Sequence, residues 1–126
     1  MRVANSQILE HIVSYCDRVA AALERFGNSE AAFLADNFYQ DGVSMCIMQI
    51  GELTKKLSPE FRVATEREFH WKAIAGMRDR YAHGYLEMNA KIIWVTASQD
   101  LPVLRKQCAD LLEQARALQS EESKEE

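Results

Sequence analysis

Glycine and proline are scarce in this chain, five and two in 126 residues. With so few obligatory turn formers, and no run of alternating β-branched residues, a fold of many short strands is excluded and an all-helical one is expected. No apolar run approaches the ~20 residues that span a bilayer, so no membrane segment is expected. The opening residues Met1-Arg2-Val3-Ala4-Asn5 lack the apolar core of a secretory signal, which points to the cytoplasm. There is no glycine-rich phosphate loop, so no bound cofactor is expected. Cysteine is sparse too: Cys16, Cys46 and Cys108 are far apart, odd in number, and each falls on an apolar helical stripe. That pattern fits small buried hydrophobes rather than disulfides or metal ligands. The three histidines are scattered, and no metal site is expected.

Basic charge is also thin. The formal net charge is −4, the wrong sign for a broad nucleic-acid-binding face. Its distribution is uneven. The last six residues carry −3, and residues 62–91 carry six Lys/Arg (Arg62, Arg67, Lys72, Arg78, Arg80, Lys91) against four acids. Any contact with nucleic acid should be local and salt-sensitive, or shared with a second subunit.

What the chain does have is helical periodicity. Ile8, Leu9, Ile12, Val13, Cys16, Val19, Ala20 and Leu23 recur three and four apart, the stripe of an amphipathic helix. Asn5 or Ser6 is its expected cap and Gly27-Asn28 its stop. Ser29 should cap a short helix through Phe33-Leu34, and Asp36 a long one with Val43, Cys46, Ile47, Ile50, Leu53 and Leu57 inward. Gly51 on that helix suggests close approach of another backbone. Ser58-Pro59 should end it or open a short successor. Residues 71–83 read as a further helix with Trp71, Ile74, Ala75 and Met77 or Tyr81 inward and Gly84 as its stop. Asn89 should cap a helix carrying Ile92, Ile93, Trp94 and Val95. Asp100-Leu101-Pro102 should break or kink the chain, and a last helix carries Leu104, Cys108, Leu111, Leu112 and Leu118. The expectation is one antiparallel bundle of four to five helices over residues 1–119, then a disordered acidic tail, 120–126.

The chemistry concentrates in Met77-Arg78-Asp79-Arg80-Tyr81-Ala82-His83-Gly84-Tyr85. Arg78 offers a permanently charged planar fork that matches phosphate oxygens. His83 can take or give a proton near neutral pH. On an uninterrupted helix, five steps place His83 roughly 140° from Arg78. Either the helix distorts near Gly84, or a two-fold dimer completes the site with a second copy of the segment.

Here the sequence resembles a known family. Arg-Asp-x-x-x-His matches the signature of HEPN domains, and Arg78-x-x-x-x-His83-x-Tyr85 looks like the HepT branch, toxins of HepT/MntA toxin–antitoxin systems. The blocks Phe33-Leu34-Ala35-Asp36, Ile50-Gly51-Glu52, Trp71 to Arg78, and Ile93-Trp94 followed by Asp100-Leu101-Pro102 are similar to family blocks in family order. The likeness covers roughly residues 5–115. It implies a metal-independent ribonuclease toxin of a type VII-like system, acting on RNA, with tRNA one candidate. The site would form at a homodimer interface. His83 would be the general acid or base, Arg78 the phosphate ligand, and Asp79 the group that orients one of them. A cognate minimal nucleotidyltransferase antitoxin would silence the site by adding AMP to Tyr85.

A blander reading stands beside this one. His83 alone fits a helix-end histidine, and Arg78 and Asp79 fit solvated charges. His11 and His70 read as surface or structural residues. Glu52 could pair with Arg78 or be an exposed helix charge. Phe38, Met45, Met48 and Trp94 fit a core or dimer seam. The rival function is a non-catalytic HEPN module that docks a nucleotidyltransferase and binds nucleotide or substrate.

Overall fold

The computed structural model describes residues 2–71, 74–77 and 89–125, the last five by backbone alone. Its described residues form six α-helices and a π-helical segment, with no strand among them. The elements are α1 (Val3–Arg25), α2 (Glu30–Leu34), α3 (Asn37–Lys55), α4 (Pro59–Ala64), α5 (Ala90–Val95), the π segment (Thr96–Asp100) and α6 (Leu101–Glu125). Trp71 and residues 74–77 are helical as well. None of these helices is long and apolar enough to cross a membrane.

Most ends are set by the residues beside them. Ser29 Oγ accepts from Ala32 N at 3.1 Å and Asp36 Oδ1 from Tyr39 N at 3.1 Å, each satisfying an orphan donor of its helix. Ser58 Oγ accepts from Phe61 N, with Pro59 in the first turn. Asn89 Oδ1 accepts from Lys91 N at 2.8 Å and opens α5. α1 ends in a Schellman turn: Gly27 N donates to Glu24 O and Asn28 N to Leu23 O. Gly27 sits at φ +77° and Asn28 at +52°, the left-handed region that these two residue types tolerate. Gln40 Nε2 donates to the Phe33 and Leu34 carbonyls, which satisfies the free end of α2.

The start of α1 corrects the sequence reading. The helix begins at Val3, and Arg2, at its cap position, makes no side-chain cap bond. Asn5 is buried instead. Its Nδ2 donates to Ser58 Oγ at 3.0 Å and its Oδ1 accepts from Ser58 N at 3.1 Å. The start of α1 is thereby fixed to the turn that joins α3 to α4. At the other end, the Tyr39 hydroxyl reaches Ala22 O. These two ties run α1 and α3 antiparallel. Arg105 of α6 meets Asp17, while Leu112 and Arg116 face Val3 and Ser6, so α6 is antiparallel to α1 too.

α1 is the centre of the bundle, packed on both α3 and α6. Leu9, Ile12 and Val19 meet Val43, Ile47 and Ile50 of α3 and Leu101, Leu104 and Cys108 of α6 in one continuous buried cluster. Each large aliphatic side chain removed from water there is worth about 1.5–3 kcal/mol. Several stripe members lie outside it. Ala20 is exposed and Leu118 is 59% exposed, because the stripe drifts off the seam toward the helix ends. Phe38, at 89%, and Met45, at 52%, are on the outer face of α3 and are not core residues. Met48 and Trp94 pack partly against the core.

The expected break at Asp100-Leu101-Pro102 is a widened turn within continuous helix. Pro102 has no N–H and its ring crowds the carbonyl one turn back; the π register relieves this. Ser98 Oγ donates to Trp94 O at 2.7 Å and Thr96 Oγ1 to Ile92 O. α6 then continues to Glu125, through the acidic stretch for which the sequence predicts disorder.

Candidate functional site

Arg78, Asp79, His83 and Tyr85, the site residues expected from the sequence, lie outside the described residues, as do Tyr81, Gly84 and the rest of the helix expected over 71–83 beyond Met77. What is described is how the chain enters and leaves this stretch.

The entry is rigidly held. Trp71 is buried at 4% exposure and stacks on Phe69, with ring centroids 4.2 Å apart and planes 5° from parallel. Its Nε1–H donates to Thr65 Oγ1 at 2.7 Å, and that hydroxyl donates on to Phe61 O at 2.8 Å. A large indole thus closes the turn after α4 with its one polar atom satisfied. Gln107 Nε2 donates to Glu68 O at 2.9 Å, which fastens the same turn to α6. The helical residues Ile74 and Met77 then pack partly on the core, ahead of position 78. The exit is equally anchored. Asn89 caps α5, Ile93 is buried, and the Trp94 ring lies 5.5 Å from Phe33. Residues 78–88 are therefore bracketed by two elements tied to the bundle.

Beside the entry lie two open clefts. One, of about 480 Å³, is lined by Arg62, Glu66, Phe69, His70 and Trp71 among others. The other, of about 560 Å³, has Ile74, Met77 and Leu104 at its floor and Glu68, His70 and Asp100 around it. Of the basic island, Arg62 is half-buried and Arg67 and Lys91 are exposed. Glu52 on α3 is half-buried rather than fully exposed. His11 and His70 are exposed.

The thiols are unsuited to nucleophilic chemistry. Burial pushes Cys16 and Cys108 up to about 12, and it raises Cys46 as well. Protonated thiols are poor nucleophiles and poor metal ligands. Among the described residues, no group of three His, Cys, Asp or Glu side chains could hold a metal ion.

The sequence reading missed the Trp71–Thr65–Phe61 relay. A Thr six residues before a Trp carries no periodic signal, and only the turn over 65–68 brings the two together.

Comparison with known proteins bears on most of the chain. Residues 9–111 match the family described as Ribonuclease HepT-like. A protein of Caldanaerobacter subterraneus subsp. tengcongensis, provisionally named an RNase, is 35% identical over 83% of this chain and 91% of its own length. A protein of Thermococcus cleftensis named as a probable ribonuclease HepT is 32% identical over 58% of this chain and 66% of its own. A third relative, from Methanocaldococcus jannaschii and also provisionally named an RNase, is 30% identical over 79% of this chain and 83% of its own. No solved structure matches the chain significantly. The match spans the bundle from the first turns of α1 to the middle of α6, and the motif with it: this chain belongs to the HepT-like ribonuclease family.

Proposed function

We propose that this protein is a metal-independent endoribonuclease, homodimeric, and the toxin of a toxin–antitoxin pair. The observation that carries the reading is Arg78-x-x-x-x-His83-x-Tyr85, intact and in order within the stretch that matches a ribonuclease family. The anchored flanks support it, since a phosphate ligand and a proton carrier must be held to within about 0.5 Å to act together.

In this reading a ribose 2′-oxygen attacks the adjacent phosphorus, the bond to the 5′-oxygen breaks, and a 2′,3′-cyclic phosphate remains. His83 either takes the 2′-hydroxyl proton as base or gives a proton to the leaving 5′-oxygen as acid. Either role is worth about 10²–10⁴-fold. Arg78 holds the phosphate and offsets the charge that builds on it. Asp79 orients Arg78 or His83. Burial of the thiols leaves no competing nucleophile among the described cysteines. Control falls to a nucleotidyltransferase partner: the Tyr85 oxygen attacks the α-phosphorus of ATP, pyrophosphate leaves, and the attached AMP occupies the phosphate site beside Arg78.

The test is cleavage of total cellular RNA by purified protein in EDTA, wild type beside His83→Ala. Cleavage by wild type alone, leaving cyclic-phosphate ends, is the expected result. A cleaving His83→Ala protein defeats the assignment of His83. Silence from a wild-type protein whose intact mass shows no AMP moves the weight to a non-catalytic docking module.

A further inference from the structure

α1 and the π segment enclose a cleft of about 460 Å³, within the size range of small-molecule sites. Cys16, Ala20, Leu23, Trp94 and Leu101 give it apolar walls, and among the described residues the polar groups around it are few: Asp17, Asn28, Ser98 and Arg105.

One residue of those walls, Ala97, has a carbonyl without its usual helical donor. In regular α-helix the Ala97 carbonyl would accept from Leu101 N–H, but that group donates to Thr96 O in the π register. In continued π register it would accept from residue 102, which is proline and has no N–H. Ala97 is buried at 2% exposure and lines the cleft with Pro102. A buried carbonyl with neither helical donor is costly to leave bare, so a donor brought by a ligand is favoured there. The two described charges at the rim are matched to each other. Arg105 Nε donates to Asp17 Oδ1 at 3.0 Å, with both side chains about half exposed. A charged ligand would have to break that pair; a neutral one can lie beside it. A planar guanidinium and a half-buried indole both favour a flat ring.

We propose that this cleft binds a neutral, flat nitrogen heterocycle bearing an N–H donor, the class to which nucleobases belong. The ring lies among Leu23, Trp94 and Leu101, and its N–H or amino group donates to the Ala97 carbonyl. The proposal does not depend on the function proposed for the Arg78–Tyr85 motif.

Adenosine is the probe, titrated into ¹⁵N-labelled full-length protein. Saturable shifts confined to residues 16–28 and 94–105 are expected. Two variants keep the test independent of any one fold defect. Ala20→Phe fills the cleft from an exposed position. Pro102→Ala supplies an N–H, and in either helical register the Ala97 carbonyl then gains a donor. Each should weaken adenosine about tenfold or more, with the helical circular dichroism unchanged. Purine riboside, which lacks adenosine's exocyclic amino group and so has no N–H donor on its base, should bind more weakly than adenosine. Absence of saturable binding makes this a water site and overturns the proposal. So do shifts centred on residues 78–85, or an affinity that Pro102→Ala leaves untouched.

Discussion

The α1–α6 seam and the corner where α4 meets Trp71 are both buried, yet they are held by different physics. The seam is a repeating apolar stripe, Leu9, Ile12, Cys16 and Val19 against Leu101, Leu104 and Cys108. Each member adds a similar increment and none is unique. The corner rests on one indole, two phenyl rings and a two-step hydrogen-bond relay, Trp71 to Thr65 to Phe61. A stripe tolerates the loss of one member; a corner built on one side chain does not. The corner is also the entry to the candidate catalytic motif, so its failure should reach function before it reaches the fold.

The sharpest way to break this comparison is Trp71→Ala. Loss of a buried aromatic costs about 3–5 kcal/mol, and here it also removes the donor to the Thr65 hydroxyl. Urea unfolding should show that loss, and RNA cleavage should fall by more than the remaining folded fraction explains. Trp71→Phe should recover most of the stability but not the relay. A Trp71→Ala protein that cleaves at the wild-type rate per folded molecule would show that the corner does not position the motif.

Next in size is Ile12→Ala in the seam, at about 2–5 kcal/mol. Here stability and activity should fall together, in proportion to the folded fraction. If activity is lost ahead of stability in this variant as well, the distinction between seam and corner collapses.

Asn5→Ala should cost less, about 1–3 kcal/mol, since it leaves one part-buried backbone donor, Ser58 N, without its partner. Asn5→Asp is the sharper variant. It keeps the acceptor for Ser58 N but loses the donor to Ser58 Oγ and buries a charge, so its penalty should shrink as pH falls and the carboxyl protonates. An equal penalty at all pH values would mean that the tie carries no polar specificity.

What the sequence made legible follows the same division. The caps Ser29, Asp36, Ser58 and Asn89 and the stop at Gly27-Asn28 are local signals, and each acts where its spacing predicts. The seam is periodic and was equally readable. Asn5 misled because its partner is 53 residues away; nothing within one helix distinguishes a cap from a tie between helices. Phe38 fits core or dimer seam by sequence, and its 89% exposure removes the first of these, because which stripe edge is covered depends on where the neighbouring helix is placed. Pro102 announced a disturbance but not that a π turn would absorb it. The candidate site was legible through family likeness alone: single-helix geometry could not bring Arg78 and His83 to one atom, and those residues lie outside the described structure.

The smallest effect expected at neutral pH is the titration of the seam thiols. Cys16 and Cys108 stand at about 12 in the fold against an ordinary value of 9.0, because burial disfavours the thiolate. Below pH 9 both states keep their protons and the thiols add no pH dependence. Above pH 9 the unfolded chain loses protons that the folded one retains, so stability should fall as pH rises from 9 toward 12. Replacing both cysteines with alanine should flatten that slope while costing packing at every pH. A thiol reagent should meanwhile label Cys16 and Cys108 at the rate of unfolding. The corner supplies the contrast, because no thiol is part of it, and an alkaline loss that survived the double replacement would have to originate outside the seam.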